Sequence, residues 1–99
     1  MRITKEEREI VVESIATCDP DAKVWLFGSR VDDSKRGGDI DLAILSRAIG
    51  RDELRKIRRR IVDRIGEQHL DIIASPDGRD AFFRLAVEGG VPLDANDGP

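Results

Sequence analysis

The sequence predicts a small α/β (α+β) domain, one sheet with helices packed on it, and three observations predict it. Periodic segments follow one another as helix, strand, loop, strand, helix, strand, helix, with no internal repeat. The helix between the second and third strands is long enough for a right-handed parallel crossover. The chain has 99 residues, 39% of them hydrophobic, which is material for one small core and a single domain over residues 1–99.

The elements follow from local chemistry. Thr4-Lys5-Glu6-Glu7 is a capping box, Thr4 as N-cap and Glu7 reaching back, and it opens a helix to about Thr17 with an apolar stripe of Ile10, Val11 and Ile15. Asp19-Pro20-Asp21 stops that helix. Lys23–Phe27, with Val, Trp and Phe, reads as the first strand, closed by Gly28. A short helical turn from Ser29 would aim free N–H groups at a phosphate, while Asp32 to Gly38 is mostly loop.

The second strand runs from Asp39 to Leu45, polar at its mouth and then continuously apolar, as a strand buried on both faces should be. Arg51 to about Glu67 is an amphipathic helix with Leu54, Ile57, Ile61 and Ile65 on one stripe. His69–Ala74 is a third strand, ended by the turn residues Ser75-Pro76-Asp77-Gly78. Arg79–Glu88 makes the last helix, with Phe82, Leu85 and Ala86 expected inward and Gly89 at C′, and residues 91–99 are set apart as a tail of uncertain order.

Chemistry concentrates where the first strand meets the second: Leu26-Phe27-Gly28-Ser29-Arg30, then Gly37-Gly38-Asp39-Ile40-Asp41-Leu42. Alternate strand residues leave the same face, so Asp39 and Asp41 would sit side by side. Two unit charges ~4 Å apart repel by roughly 4 kcal/mol at an effective dielectric of about 20. Either one carboxylate is protonated or a cation lies between them. Hard divalent ions such as Mg2+ take oxygen ligands and are commonly held by one or two carboxylates together with substrate phosphates. Gly28-Ser29 offers the cradle for those phosphates, since glycine permits a tight turn and successive backbone N–H groups form an anion-binding concavity. A Gly-Ser pair alone is ordinarily a strand ending in a turn; the Asp-x-Asp downstream gives it functional meaning.

Composition excludes other chemistries. A net charge of −3 does not favour nucleic acid as the main partner, and four aromatic residues are too few for a base-stacking platform. One cysteine, Cys18, forms no internal disulfide, and with one histidine it makes no zinc cluster; it reads as a small core residue. No apolar run approaches a membrane span and Met1-Arg2-Ile3-Thr4-Lys5-Glu6-Glu7 is no signal peptide, so the expected compartment is the cytoplasm.

Gly28-Ser29, nine intervening residues and Asp39-Ile40-Asp41 resemble the Gly-Ser…Asp-x-Asp motif of the DNA polymerase β-like nucleotidyltransferase superfamily. The wording Leu-Phe-Gly-Ser-Arg…Asp-Ile-Asp-Leu is similar to its minimal nucleotidyltransferases, the MNT family, over about Lys23 to Leu93. The resemblance implies the polymerase β-like fold, with a small mixed sheet. It also implies a third carboxylate on a later strand, and the sequence has one at Asp71, within His69-Leu70-Asp71-Ile72-Ile73-Ala74. An aspartate in an apolar strand is costly to bury unless paired or bound to metal; the ordinary alternative is a strand-end aspartate reaching solvent.

The resemblance further implies transfer of a nucleoside monophosphate, AMP from ATP, to an acceptor hydroxyl with two Mg2+ ions as cofactors. Asp39 and Asp41 would bridge both metals, Asp71 would complete the site of the one that activates the acceptor, and Gly28 and Ser29 would hold the triphosphate. Arg30 is a candidate phosphate contact, balanced against a salt bridge to Asp32 or Asp33. Arg58-Arg59-Arg60 reads as a solvated face paired with Glu53, Asp63 or a partner's acids, and His69 as a structural histidine. MNT proteins commonly stand beside HEPN-domain toxins and attach AMP to a toxin tyrosine, so the partner implied is a HEPN protein and the role that of an antitoxin. Two other readings stay open: a non-catalytic module that neutralises its partner by contact, and a nucleotidyltransferase acting on a small-molecule acceptor such as an aminoglycoside.

Overall fold

Thr4 Oγ1 accepts the Glu7 N–H at 3.0 Å while Glu7 Oε1 accepts the Thr4 N–H at 3.0 Å, so the capping box forms as its sequence predicts and opens α1, Lys5–Ala16. The computed structural model describes residues 3–28, 40–66 and 70–93. Its elements continue with β1 (Lys23–Phe27), β2 (Ile40–Leu45), α2 (Arg51–Ile65), β3 (Leu70–Ser75), α3 (Ala81–Glu88) and β4 (Val91–Pro92). They form an α+β fold: three helices and a mixed four-stranded sheet of order β3-β2-β1-β4, with β2 and β3 parallel and β1 antiparallel to both β2 and β4.

Alternation along the strands divides the core between the two faces of the sheet. Val24, Leu26, Ile40, Leu42, Ile44 and Leu70 pack with Val11 and Ile15 of α1 and Ile57 and Ile61 of α2. Leu54 and Ile65 border this cluster, as the stripe read from α2 requires, and Cys18 packs against it as a partly buried residue. The two helices are also joined at the surface, where Arg64 Nη1 meets Glu13 Oε1 at 3.0 Å.

The opposite face carries α3, where Phe83 and Ala86 are buried against Ala43, with Trp25, Phe27, Leu45 and Ile73 around them. The Trp25 and Phe83 rings meet edge to face, centroids 5.9 Å apart at 88°. This corrects the expected inward stripe. Ala86 is inward, but Phe82 is 58% and Leu85 67% exposed, and the inward aromatic is Phe83. Phe83-Ala86-Val87 has the same helical spacing as Phe82-Leu85-Ala86, and the packing of Phe83 and Ala86 against Ala43 and Trp25 distinguishes them.

Gly89, expected at C′, is the C-cap of α3, with φ −94° and no left-handed geometry. The glycine that the packing requires is Gly90, where a Cβ would stand 2.8 Å from the Ala86 carbonyl oxygen and 2.9 Å from that of Leu26. That close approach lays β4, at the start of the segment set apart as a tail, along the edge of β1, and Leu93, fully buried, donates its N–H to the Val24 carbonyl at 2.8 Å. Among the described residues no helix is long and apolar enough to cross a membrane.

Candidate active site

Strand register builds the site. Phe27 of β1 lies opposite Asp41 of β2, and Asp41 lies opposite Asp71 of β3 in the parallel pair. Neighbouring strands are about 4.8 Å apart and register partners share a face, so Asp41 and Asp71 stand side by side. Two residues further along, Ala43 and Ile73 pack on the α3 side, which puts both carboxylates on that face too, at the end of the sheet where β1 stops and β2 and β3 begin. Asp41 is half-buried and Asp71 exposed.

Gly28 turns the chain at the end of β1 with φ +78°, a conformation that costs other residues energy. A Cβ on Gly28 would stand 2.2 Å from Asp41 Oδ2. The absent side chain is thus the space in which the Asp41 carboxylate sits, pressed against the backbone that follows β1. Two hard oxygen donors on adjacent strands, beside a glycine turn, suit a Mg2+ ion and the phosphates it accompanies.

Of the residues predicted for the site, the structure brings together Gly28, Asp41 and Asp71. Ser29, Arg30 and Asp39 lie outside the described residues, as does His69. Among the described residues no group of three or more His, Cys, Asp or Glu side chains gathers in metal-binding geometry.

Sequence reading missed Arg58. Its guanidinium donates a hydrogen bond to the Leu70 carbonyl, tying α2 to the first residue of β3, directly before Asp71. The signal for it was weak: Arg58 adjoins the buried Ile57 within a run of three arginines, and helical spacing alone placed that run in solvent. At the opposite end of the sheet a groove of about 670 Å³ is lined by the charged Lys23, Arg47, Arg79, Asp19, Asp21 and Asp77 together with Leu45, Ala48 and Pro76. Its floor is organised by Ser46, which donates to Asp19 Oδ2 and accepts the Ala48 N–H at 3.0 Å. The length of β2 separates this groove from Asp41, so it takes no part in the carboxylate site.

Comparison with known proteins agrees with the geometry. Residues 8–82 match the model of a family described as Nucleotidyltransferase domain, a span that includes Gly28, Asp41 and Asp71. No curated protein matches the chain.

Proposed function

Because the chain belongs to the nucleotidyltransferase domain family, within the polymerase β-like superfamily, we propose that it moves AMP from ATP to an acceptor hydroxyl in a Mg2+-dependent reaction. The observation that supports this reading is the pairing of Asp41 with Asp71 beside the Gly28 turn. Asp41 and Asp71, with Asp39, would hold the metal ions, which when bound neutralise charge on the attacking and leaving oxygens. Gly28 and Ser29 hold the triphosphate through backbone N–H groups and the serine hydroxyl, with Arg30 as a further contact. The acceptor oxygen forms a bond to the α-phosphorus as the bond to the bridging oxygen breaks and pyrophosphate leaves. Asp71, the more exposed carboxylate, takes the proton of the acceptor hydroxyl.

The acceptor we propose is a tyrosine of a partner HEPN toxin, which makes this chain an adenylylating antitoxin. Its support is the MNT-like wording of Leu26–Arg30 and Asp39–Leu42. The test is label transfer from ATP carrying radioactive α-phosphate, with Mg2+, in lysate of the source organism, using the native chain and Asp41→Asn. One protein band labelled from the α position, absent with γ-labelled ATP and absent in the variant, is the expected result. A labelled small molecule instead would move the acceptor to that class, and no transfer from any nucleotide would leave contact with a partner as the better account.

A further inference from the structure

Phe82 and Leu85 are the large apolar side chains that the described residues leave exposed, and both lie on α3. With Ala81 and Gly89 they form one stripe along its outward side. Beside the stripe, on the flank away from Phe82, Arg84 and Glu88 stand one turn apart, exposed and with no ion-pair partner among the described residues. The helix therefore presents an apolar flank and a flank carrying one charge of each sign.

We infer that the outer face of α3 is a contact between two copies of this chain, their α3 helices packed antiparallel about a two-fold axis. In such a contact each flank meets the same flank of the other copy, so the surface must be self-complementary. It is. The register that sets Arg84 opposite Glu88 of the second copy, twice by symmetry, lays Phe82 over the small Gly89 and Gly90 of that copy and brings the two Leu85 side chains together near the axis. An eight-residue helix is about 12 Å long and falls short of the ~800 Å² per partner of a stable interface, so the association is weak and reversible.

Sedimentation equilibrium of the whole chain from ~10 µM to ~1 mM tests this. The expected result is a monomer–dimer equilibrium whose dissociation constant rises at least ~10-fold in Leu85→Glu, a substitution at an exposed site that leaves the circular dichroism spectrum unchanged. Arg84→Glu and Glu88→Arg each weaken the dimer a few-fold by facing like charges, and the double variant restores it because the charges exchange across the axis. A monomer at every concentration, a dimer indifferent to Leu85→Glu, or a double variant no better than the single ones would overturn the inference.

Discussion

Asp41 Oδ2 occupies the space that a side chain on Gly28 would need, since a Cβ there would lie 2.2 Å from it. The strand that ends in the Gly28 turn and the strand that carries the carboxylate thus fit together because residue 28 is glycine. Gly28→Ala meets two penalties: a left-handed backbone at φ +78°, which costs ~1–2 kcal/mol, and the clash with Asp41. Chemical denaturation of the native chain, Gly28→Ala, Asp41→Ala and the double variant separates them. The alanine is expected to cost more beside Asp41 than beside Ala at 41, with the backbone part and the milder 3.3 Å approach to the Cβ of residue 41 remaining in the double variant.

Asp41→Asn and Asp71→Asn each remove one charge from the proposed metal site without deleting volume. Nucleotide transfer is expected to fall ~100-fold or more in both, since even changes in the outer shell of a metal site cost 10–100-fold. Mg2+ with ATP should raise the melting temperature of the native chain, a ligand at 100 times its Kd contributing ~2.7 kcal/mol, and EDTA should reverse the rise. A rise of the same size in both variants would remove these residues from the site.

Adjacent phenylalanines on α3 should behave differently. Phe83 is buried against Trp25 and Ala43, so Phe83→Ala is expected to cost ~3–5 kcal/mol by leaving a cavity. Phe82, more than half exposed, should cost no more than ~0.5 kcal/mol on replacement by alanine at low protein concentration. Urea denaturation of the two variants checks the orientation of the helix.

The start of α2 should be sensitive to acid. Gly50 has no side chain to cap the helix, and the closing bond is the one Glu53 Oε1 accepts from the Gly50 N–H at 2.9 Å. Hydrogen bonds from the backbone of Gly50, and then of Glu53 itself, hold the Glu53 carboxyl below its ordinary value. Its folded value is therefore lower than its unfolded one, and the contribution is complete above the ordinary glutamate range near 4.3 and lost as pH falls through the lowered value. An NMR titration of the Glu53 carboxyl should show a midpoint below that of an unperturbed glutamate. Glu53→Gln should leave α2 formed but remove this part of its acid sensitivity.

Much of the fold was legible in short stretches of sequence because its causes are local. The Thr4 and Glu7 side chains that open α1 are three residues apart, β1 has the bounds that Val24, Trp25 and Phe27 indicate, and the Ile57 and Ile61 stripe faces the core at helical spacing. Of the candidate site, Asp41 stood out through its spacing from Asp39, Gly28 drew its meaning from that Asp-x-Asp downstream, and Asp71 was singled out only through the family resemblance.

What the sequence determined by itself was therefore which residues form the three helices and the first three strands, and the spacing at which residues within each share a face. The tertiary structure alone decided which faces meet. Asp41 lies opposite Asp71 because β2 and β3, separated by α2, pair in one parallel register. Arg58 reaches the Leu70 carbonyl because the crossover returns α2 over the start of β3. Phe83 rather than Phe82 enters the core because it packs against Trp25 and Ala43 of the sheet, and β4 joins the sheet because Gly90 lets the chain approach Leu26. The physical reason is that periodicity fixes relative directions within one element, whereas docking depends on contacts between residues far apart in the chain, where two stripes of equal spacing are indistinguishable until one is buried.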